Sequence, residues 1–363
     1  PNPNPKPKRN PHPATNLTLN LSPTPTLTST KELIPTLNLT RTERVWSGIE
    51  KLFRAEVFER LHGGNASLGL GSAGLGLGPG SDSGMRLRDV FGPYVPLMFS
   101  WTVIHRSPNE RGKDKYPKEF LNFLSSNLRR YVLYITAVQN DLGLVGRREL
   151  PHNKFPGSNI LVLSSGGYGH VPIPLFPKPQ SHMTPALNTV PMAERRYLVS
   201  YVGSHKHAPH DMRGKMIRAI DNASAALNLT TLAHYHGGEW KNIMANSKVS
   251  LAPRGYGRTA YHLLECIQAG FIPVHVFTDV PWVPYEDIFR EHIGYVVEVE
   301  AIGGLLEELA QLGDAALEAR EASVCRYHES HFTPNAVMNQ ISALMRGLPH
   351  DLQCVRLPET IQG

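Results

Sequence analysis

The 363-residue sequence predicts an α/β protein built on parallel sheet. Three observations predict it. Short, near-continuous apolar runs such as NILVLSS (159–165), KVSLAP (248–253) and FIPVHVF (271–277) read as strands buried on both faces. Segments such as KEFLNFLSSNLRR (118–130) and DMRGKMIRAIDNASAAL (211–227) carry their apolar residues at helical spacing. The two kinds of segment alternate along the chain, which is the pattern of βα units.

The chain opens on a stretch that cannot bury a core. Residues 1–35 hold nine prolines and no glycine, and 1–42 are expected to be a disordered, polyproline-like stalk. Residues 63–84 hold nine glycines and read as a flexible insertion. From residue 85 the pattern changes. VPLMFSWTVI (95–104) is apolar and β-rich, 118–130 is a helix, and YVLYITAV (131–138) and NILVLSS are buried strands. RYLVSYVG (196–203) is a strand, and 211–227 is an amphipathic helix with Asp211 as N-cap. WKNIMANS is a short helix, KVSLAP a strand, and TAYHLLECIQAG (259–270) a helix closing at a C′ glycine, Gly270. FIPVHVF and GYVVEV (294–299) are strands, and three helical segments complete the chain.

These elements fall into two Rossmann-like halves. The expected boundaries are 85–195 for a first domain, 196–330 for a second, and 331–363 for a C-terminal helix and tail. Ligands then lie at the carboxyl ends of the strands or in the cleft between the halves.

Composition narrows the partners. The net charge of +6 is uneven. Residues 1–42 carry five Lys or Arg against Glu32, so most of the excess sits in the tail and not in the folded body. With no RNP sequence, zinc-finger spacing or basic helical stripe, nucleic acid is not expected as a partner. Three cysteines are too few for a disulfide framework, and no apolar run reaches 18 residues. Six Asn-X-Ser/Thr sequons, at Asn16, Asn20, Asn38, Asn65, Asn222 and Asn228, favour a secretory-pathway chain.

The chemistry concentrates in SKVSLAPRGYGRTAYHLLECIQAGFIPVHVFTDVPWVPYEDIF (247–289), which reads strand, glycine loop, helix, strand. Gly255 and Gly257 let the backbone approach a ligand, and Thr259 is placed to cap the helix, whose free N–H groups form a pyrophosphate site. Arg254 and Arg258 flank the loop and are suited to neutralising two phosphates. Glu265 is suited to accepting hydrogen bonds from a ribose. Gly255-X-Gly257-X-X-Ala260 also satisfies the dinucleotide fingerprint, with Asp279 near the place of its ribose-binding acid, so a nicotinamide-dependent oxidoreductase is an alternative. His205, His207, His210 and Asp211 together look like a metal cluster but suit a solvated loop better, and no metal ligand set is assigned. Trp282 suits either a sugar site or packing, and Cys266 reads as a buried thiol.

Several blocks resemble one family. Ser247-Lys248-Val249, Pro253-Arg254-Gly255, Glu265-Cys266, Gly270, Ile272-Pro273-Val274, Asp279 and Val283-Pro284-Tyr285 are similar to the signature of the exostosin-like glycosyltransferases. Asn140-Asp141 with Gly143, Gly167-Tyr168-Gly169, Ile173-Pro174 and Tyr201-Val202-Gly203 followed by Arg213 resemble its earlier blocks. The resemblance covers about residues 115–325. It implies two Rossmann-like domains facing a cleft, the GT-B arrangement. It also implies transfer of a sugar from a nucleotide sugar, a uridine diphosphate sugar, to a glycan or glycoprotein acceptor, with inversion and without a metal.

On that reading Gly203, Arg213, Arg254, Gly255, Gly257, Arg258, Thr259, His262, Glu265 and Asp279 bind the donor, and Asp141 or His170 is the general base. No cofactor beyond the nucleotide-sugar co-substrate is implied. Such an enzyme would work in the Golgi lumen, held to the membrane only through an N-terminal anchor that this chain does not include. Where the family has Ser-X-Arg ahead of the helix glutamate, this chain has Ala260-Tyr261-His262, which opens the alternative of a catalytically inactive, carbohydrate-binding relative.

Overall fold

Among the described residues nine strands form two sheets, and every pairing in both is parallel. In the computed structural model the described residues are 48–62, 87–105, 116, 118–144, 159–177 and 188–355. The expected stalk (1–42) and glycine insertion (63–84) lie outside them. Val45–Gly363 form one compact unit, to which everything below belongs.

The first sheet has the order β1 (Tyr94–Pro96), β2 (Leu133–Val138), β3 (Ile160–Ser164), β4 (Val171–Pro172). Strand β2 shows why it is covered on both faces. Tyr134 and Val138 join Trp101, Phe120 and Leu124 on one side. Ile135 and Ala137 join Ile49, Phe53 and Val57 on the other. That is the two-residue alternation of a pleated strand with apolar cover above and below. The first cover comes from α3 (Trp101–His105) and α4 (Lys118–Asn127), and the second from α1 (Gly48–His62), beside α2 (Leu87–Phe91). Ile49, Phe53 and Val57 recur every four residues and are buried. Each such side chain contributes roughly 1.5–3 kcal/mol of apolar burial.

The apolar stretch 95–104 is only partly a strand. Strand β1 stops at Pro96, which has no N–H for the ladder, and the chain turns into α3 from Trp101. Trp101 is drawn inward, its indole N–H donating to Thr136 Oγ1 at 2.8 Å.

The second sheet has the order β6 (Leu232–Tyr235), β5 (Tyr197–Val202), β7 (Ser247–Pro253), β8 (Ile272–Phe277), β9 (Tyr295–Glu298). It is flanked by α5 (Met212–Leu227), α6 (Trp240–Ala245), α7 (Tyr261–Gln268), the short α8 (Glu286–Ile288), α9 (Ile302–Gln311) and α10 (Asp314–Tyr327). Helix α7 ends as its glycine requires. Gly270 has φ +80°, Phe271 N–H bonds Cys266 O at 2.9 Å, and Gly270 N–H bonds Ile267 O at 3.1 Å, a complete Schellman closure. Asp211 does precede α5, but in a left-handed conformation and without a side-chain cap bond; its carboxylate pairs with Arg218 at 2.9 Å.

The last helix, α11 (Pro334–Arg346), packs on α1 and α2 and so returns to the first sheet. Ser342 Oγ donates to Glu56 Oε1 at 2.9 Å, and Val355 N–H donates to His170 O at 2.9 Å.

The carboxyl ends of the two sheets face each other. Ser164 ends β3, and its carbonyl accepts the Trp282 indole N–H at 3.0 Å from the segment after β8. Arg258, after β7, donates its backbone N–H to Gly166 O at 3.0 Å. Gln139, after β2, donates Nε2–H to the Tyr261 hydroxyl at 3.3 Å. This seam of loops is where the α/β rule puts a ligand.

Candidate active site

In the second sheet the chain runs β5 to β6 in one direction and then returns to place β7 on the other side of β5. The topological switch point therefore lies between β5 and β7. Two loops leave there: Gly203 onward after β5, and Arg254–Ala260 after β7. Gly203 has φ +153°, donates to Tyr235 O at 2.9 Å and accepts from His234 Nε2 at 2.9 Å.

The Arg254–Ala260 loop is tied down by its own backbone. Arg254 N–H bonds Val276 O at 3.0 Å, and Gly255 N–H bonds Thr259 O at 2.9 Å. Gly257 must be glycine for contact reasons. A Cβ there would lie 2.1 Å from Gly166 O and 2.9 Å from Asp141 Cβ, both on the first sheet's loops. So Gly257 brings the glycine loop directly against Asp141.

Charge gathers on this loop. The Arg254 guanidinium is 2% exposed. It donates to Gly257 O at 2.8 Å and pairs with Asp279 through Oδ1. Arg258 Nε donates to the other oxygen of Asp279 at 3.0 Å, and its guanidinium lies 4.3 Å from the Tyr168 ring centroid. Burial alone would raise the Asp279 carboxyl, but Arg254, the Val280 N–H and Arg258 outweigh it and hold it below its ordinary value. Arg213, buried on α5, donates to Ser204 O (2.5 Å), Pro253 O (3.3 Å) and Arg254 O (3.1 Å). It has no carboxylate partner among the described residues. Three guanidiniums stand against the Asp279 carboxylate and, across the seam, Asp141, an excess of one positive charge.

Asp279 is thus engaged by two arginines at the carboxyl end of β8. Arg254 acts on the loop as a buried clamp, with its charge delivered as a field. Arg258, with its side chain 18% exposed, is the guanidinium better placed to touch a ligand.

Thr259 does not cap α7. The helix starts at Tyr261, which puts Ala260 and not Thr259 in the N-cap position, with no side-chain cap bond; the Thr259 carbonyl closes the glycine turn. The first-turn N–H groups of α7 nonetheless precede its intrahelical ladder, as in any helix. From the first turn of α7 to the next, His262 Nδ1 meets Glu265 Oε2 at 3.4 Å, and its Nε2 lies 3.6 Å from Cys266 Sγ. Burial works against a charged imidazole here, but Cys266 and Glu265 outweigh it and hold His262 above its ordinary value. Cys266 is buried and its thiol reaches Ser250 Oγ at 3.4 Å.

On the first sheet, Asp141 sits in the turn after β2. Asn140 shapes that turn by accepting Leu142 N–H on its side chain (2.9 Å) and Gly143 N–H on its carbonyl (3.0 Å). His170 lies away from the seam. Its Nδ1 accepts Val162 N–H at 2.9 Å, in the middle of β3, so the ring proton belongs on Nε2. Shielding by its surroundings lowers its pKa.

The fold therefore brings together Asp141, Arg213, Arg254, Gly255, Gly257, Arg258, Thr259 and Asp279, with Gly203 on the neighbouring loop. His262 and Glu265 form a separate pair on α7. Trp282 is fully buried and joins the sheets, which is a packing role. His205, His207 and His210 are exposed, and among the described residues no group of three or more His, Cys, Asp or Glu is placed to hold a metal ion. Cys325 and Cys354 are exposed free thiols.

Three contributors were missed from sequence. Glu50, on α1, is buried and accepts Thr102 N–H (3.1 Å), Thr102 Oγ1–H (2.7 Å) and Gln139 N–H (3.2 Å), so it anchors the turn that carries Asp141. Its signal was the Ile49, Phe53, Val57 spacing. Gln139 and Tyr261 bridge the seam, and no local sequence feature marks them.

No family model matches the chain, and no curated protein does. Among solved structures it is similar to TarM, at 10% identity over 69% of this chain and 50% of that one, with a TM-score of 0.33. It is similar to the GtfA/B complex at 14% identity, covering 59% of this chain and 46% of that one, with a TM-score of 0.32. It is also similar to the pneumococcal O-GlcNAc transferase GtfA in complex with UDP and GlcNAc, at 14% identity, 64% and 58% coverage, and a TM-score of 0.24. The chain spans about half the length of those structures. At these scores the chain's own two parallel sheets define its fold.

Proposed function

We propose that this protein is a glycosyltransferase of exostosin-like type. It moves a sugar from a uridine diphosphate sugar to a glycan or glycoprotein acceptor, with inversion, the arginines and the helix start serving where other sites use a metal. The observation that carries the reading is the seam itself. Asp141 of the first sheet lies against Gly257 of a glycine loop at which three guanidiniums gather.

The chemistry divides among the residues as follows. Asp141 takes the proton of the acceptor hydroxyl. The hydroxyl oxygen forms the new bond at the anomeric carbon while the bond to the diphosphate breaks. The electron pair leaves on the β-phosphate oxygen, where Arg258 and the α7 N–H groups receive it and Arg213 and Arg254 add their field. Glu265 accepts from the ribose hydroxyls. His170 is the weaker candidate for the base, because its Nδ1 lone pair is spent on Val162. In this reading 85–195 is the acceptor side and 196–330 the donor side. The family resemblance and the exposed sequon asparagines Asn222 and Asn228 support a Golgi-lumen setting.

The dinucleotide alternative is disfavoured by strand order. Its glycine fingerprint follows the first strand of the sheet. Here that strand is β5, whereas the glycine loop follows β7. The inactive-relative alternative draws on Glu265 already being engaged by His262.

Calorimetric titration with UDP separates the readings. The transferase binds UDP, Arg258→Ala and Glu265→Ala weaken it by about tenfold or more, and Asp141→Asn keeps UDP affinity while transfer is lost. No binding at millimolar UDP, or unchanged binding in both variants, overturns the proposal. NAD(H) binding abolished by Asp279→Ala would instead support the oxidoreductase.

A further inference from the structure

Helix α7 carries a line of three interacting side chains that ends on a carboxylate. His262, Glu265 and Cys266 are three and four residues apart, so they share one face of the helix. His262 Nδ1 meets Glu265 Oε2 at 3.4 Å, and its Nε2 lies 3.6 Å from Cys266 Sγ. The Cys266 thiol donates to Ser250 Oγ at 3.4 Å. Ser250 is buried within β7, in register with Ser200 of β5 on one side and Pro273 of β8 on the other. The line therefore runs from the interior of the second sheet out to Glu265.

Burial falls off in order along it. Cys266 is fully buried, the His262 side chain is 17% exposed and the Glu265 side chain 27% exposed. At the outer end His262 takes one carboxylate oxygen, Oε2. The other, Oε1, stays accessible, with no hydrogen-bond partner among the described residues. Its lone pairs match the adjacent pair of hydroxyls on a ribose.

Proton counting fixes the state of the imidazole. The thiol proton is directed to Ser250, so the sulfur receives Nε2–H. The carboxylate is an acceptor, so it receives Nδ1–H. Both ring nitrogens donate, which only the imidazolium can do. Burial opposes that charge, and Cys266 and Glu265 outweigh it. The ring is thus a strut, fixed on the buried thiol at one end and on the carboxylate at the other. A free glutamate side chain loses its rotamer freedom when a ligand engages it, and one already held does not.

We propose that His262 is the positioning residue of the ribose site: it clamps Glu265 through Oε2 and leaves Oε1 to accept from the ribose hydroxyls of the donor. This rests on the ribose role given to Glu265 above. The engagement of Glu265 by His262 is then preorganisation of the carboxylate and not its occlusion.

The test compares UDP with its dideoxy analogue, which lacks both ribose hydroxyls, by calorimetry on the full chain. Wild type is expected to prefer UDP by about tenfold or more, and Glu265→Ala to erase that preference. His262→Ala is expected to cut the preference to about threefold or less, while the dideoxy ligand stays within about twofold of wild type. Two conservative variants separate the ends of the strut. The amide nitrogen of His262→Asn falls where Nδ1 stands, and the preference returns. That of His262→Gln falls where Nε2 stands, so it keeps Cys266 and the preference stays lost. Equal loss of both ligands in His262→Ala, or recovery by Gln and not by Asn, overturns the proposal and makes His262 a support of the helix. Unchanged or tighter UDP binding in His262→Ala also overturns it, since His262 would then be idle or would block Glu265. Wild type that binds both ligands equally overturns the ribose role of Glu265, and wild type that binds neither overturns the nucleotide-sugar reading. Both of those results are distinct from a failure of His262 alone.

Discussion

Replacing Glu50 by Gln should make the protein more stable at alkaline pH. Glu50 is almost completely buried beneath the turn that carries Asp141. Its Oε1 accepts from Thr102 twice and from Gln139, while Oε2 is buried with no hydrogen-bond partner among the described residues. Burial pushes its carboxyl up from 4.5 to about 7, against the opposing bonds from Thr102, Gln139 and Ser100. The folded value lies above the unfolded one, so folding disfavours the charged form. The stability tied to the protonated carboxyl is fully present below about pH 4.5 and is lost as pH rises through about 7. Across that window the loss is about 3 kcal/mol.

Glu50→Gln keeps the Oε1 acceptor and stays neutral at every pH. It should match wild type near pH 4.5 and exceed it by up to about 3 kcal/mol near pH 8. Urea unfolding followed by tryptophan fluorescence at several pH values measures this directly. If both proteins lose stability in parallel as pH rises, or if the variant is the weaker one at about pH 8, the reasoning fails: Glu50 would then be stabilised as a carboxylate.

Two further outcomes follow from the seam. Gly257→Ala places a methyl against the Gly166 carbonyl and Asp141, and neither contact can yield without parting the two loops. It should cost about 1–3 kcal/mol in unfolding and reduce sugar transfer by more than about tenfold, measured as product formed from a UDP-sugar. Trp282→Phe keeps most of the packing but removes one of two hydrogen bonds to the Ser164 carbonyl, which still accepts Ile173 N–H at 3.2 Å; urea unfolding should show a loss of about 0.5–1.5 kcal/mol.

The architecture was largely legible because its signals are local. The strands at 159–165, 248–253 and 271–277 announced themselves as apolar runs, and Gly270 as a helix stop, because a buried parallel strand and a Schellman turn each leave a mark within a few residues. The stretch 95–104 misled because composition alone does not separate a buried strand from a short buried helix, and Pro96 was the discriminating residue. Thr259 was misassigned as a cap because α7 starts one residue later than the sequence suggested, which gives the N-cap position to Ala260. Glu50 and Gln139 were illegible as site residues for a deeper reason. Their importance comes from partners about 50 to 90 residues away, and long-range pairing has no local signature.

The arginine cluster shows what Asp279 does for the loop. Three guanidiniums held close together repel one another, and free side chains would swing apart into water. Asp279 fixes two of them, one on each oxygen, and the Ser204, Pro253 and Arg254 carbonyls fix the third. The positive potential is therefore oriented before any ligand arrives, so charge appearing on a departing diphosphate would meet dipoles that need not reorganise. His262 belongs to the same logic. It stands where the resembled family has arginine, is too short to extend over the loop, and turns instead to Glu265. Arg258 leaves the glycine loop itself and lies over Tyr168 of the first sheet. One residue then answers both sides of the seam: its backbone N–H closes the two loops together, and its guanidinium is the most exposed of the three.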